Sequence, residues 1–416
     1  MMNEIAQYKN QLLERFLCYV GFDTQSKSNT KTSPSSIGQM KLAKYLQQEL
    51  YALGLQNITL DKNGVLTALL PSNVSPKMPT IGFIAHLDTS PQCSGKHIRP
   101  EIIENYRGGD IALGLGEKFI SPVYYHFLHH LIGKTLIVTD GNTLLGADSK
   151  GGIAEIITAL AFLKDTSFPH CNICVAFCPD KEIGLGTKIL PLDKFPCNWA
   201  YTVSGGEVGE LGCENFNAAY ADITFHGQNS DVGKAKNNLI NALALACEFQ
   251  QSLPQQEMAE NSEGEQGFFH LATFNGNIEH SKIQYWIRDF NKIRFEQRKQ
   301  FLQNLVDNFN TKKKLKRKVE LEIRDHYYNI AESPISLSNA VALADKAMKN
   351  CGIKPLHKAI RTDTEGAKLA LKGMACPTLF TGAYNLQSNY ELITLEGMLE
   401  SVKLIVQISH CAMKPI

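Results

Sequence analysis

Thr80-Ile81-Gly82-Phe83-Ile84-Ala85-His86-Leu87-Asp88 is the stretch on which the fold turns. From Thr80 to Ala85 it is almost continuously apolar, the pattern of a strand buried on both faces, and it delivers His86 and Asp88 to its C-terminal end. Later segments repeat the design. Leu144 to Asp148 leads through Gly151-Gly152 into an apolar helix from Ile153 to Leu163. Val175 to Cys178 reads as a strand that stops at Pro179-Asp180-Lys181-Glu182-Ile183-Gly184, and Ala200 to Val203 as another that ends in Ser204-Gly205-Gly206. Strand and helix alternate, so the class is α/β, with a central mixed sheet flanked by helices. The chemically interesting side chains stand where strands end, which is where open α/β sheets bind ligands.

Upstream, Leu12 to Val20 and Met40 to Leu53 carry apolar residues at helical spacing around a polar loop from Ser26 to Ser36. Asn57 to Leu60 and Gly64 to Leu70 read as a strand pair, and Ser90 to Asp140, with few periodic runs, as a surface wrap. From Asn217 the character changes. Strands are expected over Ala219–Phe225, His270–Phe274, Ile283–Arg288 and Val319–Ile323, with helices over Asn238–Gln250 and Asn291–Asn310. This is an inserted α+β module, placed at 216–325 inside a discontinuous α/β domain of 1–215 and 326–416; the α/β pattern resumes with a helix from Ser338 to Lys349.

The chain has 416 residues, 44% hydrophobic and 20% charged, and a net charge of +1, which gives no reason to expect nucleic acid or an anionic membrane as a partner. Its one basic run, Lys312 to Lys318, has no interleaved aromatics and is followed by Glu320, Glu322 and Asp325, so it reads as a solvated edge. No apolar stretch is long enough to span a bilayer. Eleven cysteines without regular spacing, in a chain with no secretory signal at its start, read as reduced thiols in the cytoplasm. Cys171-Asn172-Ile173-Cys174 lies in an apolar strand whose alternation would point the two thiols to opposite faces, so core packing is expected rather than a metal or redox motif.

A pair of catalytic metal ions needs histidine nitrogen and carboxylate oxygen, one bridging carboxylate, and a general base for the bound water. His86 supplies an imidazole, Asp88 an acid that can orient it, Asp148 a carboxylate placed to bridge, and Glu182 a terminal ligand. Each is weak evidence alone, since a lone His-x-Asp is more often structural.

Longer motifs carry a resemblance. Asp23-Thr24-Gln25-Ser26-Lys27, His86-Leu87-Asp88-Thr89-Ser90, Glu104-Asn105-Tyr106-Arg107-Gly108-Gly109-Asp110-Ile111, Leu145-Gly146-Ala147-Asp148, Glu214-Asn215-Phe216-Asn217-Ala218 and Thr394-Leu395-Glu396-Gly397-Met398 are spread along essentially the whole chain. In these the chain resembles peptidase T, the zinc-dependent aminotripeptidases of the di-zinc aminopeptidase and carboxypeptidase group. The resemblance implies a di-zinc exopeptidase fold whose inserted module is a lid or dimerisation domain, small peptides as ligands, and a homodimer through that module.

Carried over position by position, the resemblance also exposes losses. His86, Asp148 and Glu182 match metal ligands, and Asp88 matches the acid that orients His86. The first acid of the family's Glu-Glu pair, the general base, is here Lys181; a ligand aspartate is Ser204; a ligand histidine near the C-terminus is matched to Tyr390; a lid histidine is Asp231. The segment Arg361-Thr362-Asp363-Thr364-Glu365-Gly366 departs from the family's Arg-Gly-Gly-Thr-Asp-Gly, and Arg288 and Arg361 match substrate-directed arginines, with an ordinary surface or inter-domain salt bridge as the equal alternative.

General base catalysis is worth roughly 10²–10⁴-fold, and a protonated amine cannot supply it. Lost ligands multiply that handicap. The leading expectation is a peptidase T homologue with hydrolysis abolished or severely impaired and no metal or one weakly bound; a weak or altered hydrolase on one retained metal is second, and ordinary aminotripeptidase activity ranks lowest. Lys181 is expected to pair with Asp148, Glu182 or both as counter-charge in place of zinc, since unpaired buried carboxylates are costly.

Overall fold

The computed structural model describes residues 2–30, 32–313, 317–332, 337–361 and 364–414. Lys314, Leu315 and Lys316 of the basic run, and Thr362 and Asp363 of the Arg361 segment, lie outside the described residues. The chain divides into two compact units, one of Met1–Cys213, Ile335–Lys358 and Lys368–Ile416, the other of Glu214–Pro334 and Ala359–Ala367.

The first unit is built on an eight-stranded mixed sheet in the order Gln56–Leu60, Leu66–Leu70, Asn172–Cys178, Thr80–His86, Trp199–Gly205, Thr378–Phe380, Glu210–Asn215, Leu356–Ile360. Thr80–His86 is central and runs parallel to both neighbours, in register from Thr80↔Asn172 to His86↔Cys178 and from Ile81↔Trp199 to Ile84↔Thr202. Parallel strands cannot be joined by tight turns, so helices cross over and cover the faces. The helix Ala147–Thr166 is buried continuously from Ala147 to Leu163, each large apolar side chain contributing roughly 1.5–3 kcal/mol. Its approach to the sheet needs Gly152, where a Cβ would overlap the Val203 carbonyl oxygen.

Cys171 packs on one face of the sheet, while Cys174, Ala176 and Cys178 join a cluster on the other. The wrap from Ser90 to Asp140 holds strands that the sequence hides. Glu101–Ile103 and Leu136–Val138 join Ala383–Tyr384 and Leu392–Thr394 in a small sheet, and strands of two or three residues are too short to show a period.

In the second unit four antiparallel strands, ordered Phe268–Gly276, His280–Asp289, Asn217–His226, Glu320–Tyr327, carry the helices Ala242–Gln250 and Lys292–Lys313. Ile223, Phe225, Phe249, Tyr285, Val306 and Phe309 form its own core. Asn241 starts the first helix by accepting the Leu243 and Ala244 amide protons. Ala359–Ala367 belongs here rather than to the α/β unit expected for it, because Arg361 is tied to Ser262 and Gln266. Among the described residues no helix is long and apolar enough to cross a membrane.

Where Ala147–Thr166 packs on the C-terminal helix Leu395–Cys411, Glu155 is fully buried; Ser401 Oγ donates to its Oε2 at 2.6 Å and its Oε1 has no partner. Burial pushes its carboxyl well above the ordinary value, outweighing the Ser401 bond. A folded pKa above the unfolded one contributes stability that is complete below about pH 4 and is lost as pH rises through the folded value. Glu155→Gln removes that titration while keeping the shape. Urea melts from pH 4 to 8 are expected to show the variant gaining on the parent as pH rises, whereas a constant difference would show that Glu155 ionises alike in both states.

Candidate functional site

Three neighbouring strands of the first unit end at one place. His86 closes the central strand and is 1% exposed. Its Nε2 lies 2.8 Å from Asp148 Oδ1, and its Nδ1 lies 2.9 Å from the Asp88 carbonyl oxygen and 3.3 Å from Asp88 Oδ1. Burial opposes a charge on this ring, yet Asp148 more than compensates, with Lys181 pulling the other way, and the pKa is pushed up to about 10. Each ring nitrogen thus faces an oxygen atom of Asp148 or Asp88.

Asp88 is fully buried, and its carboxylate binds backbone. Oδ1 accepts the Lys181 amide at 3.0 Å and Oδ2 the Glu182 amide at 2.9 Å. The central strand's end thus positions the next strand's terminal turn through its backbone.

The Lys181 ammonium turns inward. Its Nζ lies 2.7 Å from Glu182 Oε1 and 3.6 Å from Asp148 Oδ2, the pairing expected from the charge balance. Ser204 Oγ donates to Asp148 Oδ1 at 2.7 Å. Burial alone would raise the Asp148 carboxyl, but Lys181 and His86 hold it well below the usual carboxylate range. An attraction at such distances is worth about 5 kcal/mol at an effective dielectric of 20, before desolvation offsets much of it.

Tyr390 is not at this cluster. Its ring packs 6.1 Å from that of Tyr125 in an apolar patch with Leu128, Leu131 and Tyr384. Gln387 is the residue that arrives instead: its Nε2 donates to Glu182 Oε1 and Oε2 at 3.0 and 2.8 Å and reaches Asp148 Oδ2 at 3.5 Å. The difference comes from the backbone, since Asn385 and Gln387 adopt positive φ of 50° and 61°, turning this loop in a way that residue spacing does not reveal.

Sequence reasoning also passed over Glu391. It is 1% exposed, its Oε2 accepts the Leu145 and Gly146 amides at 2.8 Å each, and its Oε1 accepts the Asp148 amide at 3.2 Å. Burial, opposed by these amides, pushes its pKa up to about 7. A lone acid after an aromatic residue gave no signal of this role.

The other expected site residues lie in the second unit. Asp231 Oδ1 accepts the Gly233 amide at 2.8 Å and caps a short turn. Arg288, 7% exposed, donates to the Ile287 carbonyl at 3.1 Å and stacks over Tyr220, Trp286 and Tyr327. Arg361 donates to Ser262 Oγ at 2.8 Å and to the Gln266 carbonyl at 3.2 Å, against the rings of Phe216 and Phe268. Both guanidinium groups meet carbonyls and aromatic rings of their own unit.

His86, Asp148 and Glu182 offer one ligand atom each, all within 4.8 Å of one another. That set can hold one ion. It does not fit two: Lys181, Gln387 and Ser204 donate protons to the carboxylate oxygens that a second ion would need, and an ammonium and an ion cannot share one carboxylate edge.

Because Asp88 holds the turn through two charge-assisted bonds, Asp88→Asn turns an amide group toward an amide proton in a buried place. A loss of about 2–4 kcal/mol in urea unfolding is expected. A change under about 1 kcal/mol would show that other contacts hold the turn.

Residues 213–317 match the family model for a peptidase dimerisation domain. The peptidase T of Pasteurella multocida is 62% identical over 412 residues, covering 99% of this chain and all of that protein. That of Haemophilus influenzae strain KW20 is 58% identical over 403 residues, 97% of this chain and 98% of that one. Among solved structures, an aminopeptidase PepT from Bacillus cereus superposes with a TM-score of 0.76 at 20% identity over 98% of this chain and 99% of its own. A dinuclear metal binding peptidase of the M20 family from Bacillus subtilis superposes at 0.67 with 11% identity over 99% of both chains. The two structures share the fold, and the identity to the curated relatives over nearly every residue decides the rest: this chain belongs to the peptidase T family.

Proposed function

We propose that this protein keeps the peptidase T scaffold and a small-peptide site at the strand ends, and that hydrolysis there is abolished or severely impaired. The Lys181 ammonium, 2.7 Å from Glu182 Oε1 and 3.6 Å from Asp148 Oδ2, carries the reading. A general base needs a free lone pair aimed at water. The nitrogen at position 181 has none while protonated, and two carboxylates beside it favour the protonated form. Asp88 is committed to backbone amides and Glu182 to Lys181 and Gln387, so neither replaces the base. The pair of metal ions of the dinuclear M20 peptidase from Bacillus subtilis does not fit this donor set.

The convergence of His86, Asp148 and Glu182 favours a second reading, a weak or altered metallo-aminopeptidase with one ion that displaces the Lys181 ammonium. The match to a peptidase dimerisation domain supports a homodimer through the second unit.

Metal content of protein purified without chelators, and tripeptide hydrolysis with added zinc, cobalt or manganese, test both. No bound ion and no turnover above buffer, with tripeptide binding retained in calorimetry, is the expected result. One ion with slow turnover establishes the second reading, and two ions with rapid turnover overturn both.

Lys181→Glu in metal-free buffer leaves an additional carboxylate beside Glu182 and Asp148. A stability loss of about 3 kcal/mol is expected, the scale for breaking a buried pair. Unchanged or greater stability would remove Lys181 as the internal counter-ion.

A further inference from the structure

One end of the antiparallel sheet in the second unit gathers two histidines and a glutamate. His226 closes the strand Asn217–His226, which lies between His280–Asp289, opened by His280, and Glu320–Tyr327, opened by Glu320. His226 stands directly opposite His280, and Glu320 stands opposite Thr224, one diagonal away from His226. Side chains alternate along a strand, and Ile223, Phe225, Ile283 and Ile323 pack in or against the helix-covered core. His226, His280 and Glu320 therefore share the opposite face.

The distances suit a shared ion. Tetrahedral bonds of about 2.1 Å to nitrogen and oxygen set two ligand atoms roughly 3.4 Å apart and two imidazole centroids roughly 5 Å apart. His226 Nε2 lies 3.2 Å from Glu320 Oε1, and the His226 and His280 rings stand 5.8 Å apart, 71° from parallel. Among the described residues only His86, Asp148 and Glu182 have three donor atoms within 4.8 Å of one another, so His280 has to lean inward to complete the set. It is exposed, and its side chain can turn while its backbone stays in place. The Asn277 amide donates to the His280 carbonyl at 2.7 Å, and the Gly227 amide to the adjoining Glu279 carbonyl at 2.8 Å. The Lys282 ammonium, on the same face, is held 3.3 Å from Asp222 Oδ2.

We propose that His226, His280 and Glu320 bind a divalent ion of the zinc type, with water completing its shell. Two imidazoles and one carboxylate are a set that zinc accepts with its fourth position open. Imidazole suits zinc, cobalt and nickel, whereas magnesium and calcium favour oxygen shells and are expected not to bind here. The ion ties three strand ends together on the face turned away from the helices. In the competing account His226 and Glu320 form an ordinary surface ion pair, worth little, and His280 takes no part. Hydrolysis does not enter the inference, and an ion held by His86, Asp148 and Glu182 is common to every protein compared in the test.

The test titrates zinc chloride into the full chain, stripped of metal by a chelator that is then removed, and follows binding by calorimetry. His280→Asn changes an exposed side chain and is expected to weaken one zinc site by about 100-fold or more, beyond the scale for losing a partner outside the ligand shell. Glu320→Gln is expected to weaken the same site, and magnesium chloride to give no heat that depends on His280. In the parent protein, carbethoxylation with diethyl pyrocarbonate, mapped by peptide mass spectrometry, is expected to be slowed by zinc at His226 and His280 and unchanged at the exposed His97. Equal zinc stoichiometry and affinity in the parent and His280→Asn overturns the proposal. Carbethoxylation of His226 and His280 that zinc leaves unchanged overturns it as well.

Discussion

Three carboxylates, Asp88, Asp148 and Glu182, are withdrawn from water at the ends of adjacent strands, and the local structure follows from the need to satisfy them. Each oxygen must meet a proton donor or a cation, because an isolated buried charge costs several kcal/mol. In this protein the partners are its own: two backbone amides on Asp88, an imidazole and a hydroxyl on Asp148, an ammonium and a side-chain amide on Glu182. The arrangement is closed electrostatically.

Much of this was legible in the amino-acid order. His86, Asp148, Lys181, Glu182 and Ser204 could be placed together because each stands at the end of a strand or at a strand-to-helix junction, and parallel strands bring such ends to one edge. Gln387 and Glu391 were not legible. They lie on a loop between strands of two and three residues, with a left-handed backbone at Asn385 and Gln387, and no period or spacing reports which of its side chains turn inward. The assignment to Tyr390 failed for that reason: the neighbourhood was right and the residue was not. In the second unit the strands could be read, whereas the occupation of Arg288 and Arg361 by local carbonyls and rings required coordinates.

Family membership and the state of the site are separate matters here. Identity of 62% over nearly the whole chain goes with a scaffold whose core, crossover helices and second unit are complete. Lys181 and Ser204 sit on that same frame and meet the carboxylates of Glu182 and Asp148 there. A fold does not by itself fix the chemistry of the site grafted on it.

The Asp88 clamp holds residues 181 and 182 by their peptide groups, which every amino acid except proline can offer as a donor. The backbone of this turn is therefore held by the same two bonds whichever side chains stand at 181 and 182, while the charge balance among the carboxylates still depends on them. An exchange of side chain at this edge changes the charge balance and leaves the path of the turn in place. Such a site is an interchangeable fitting, and a long evolutionary history of gain and loss could pass through it without leaving a mark on the architecture.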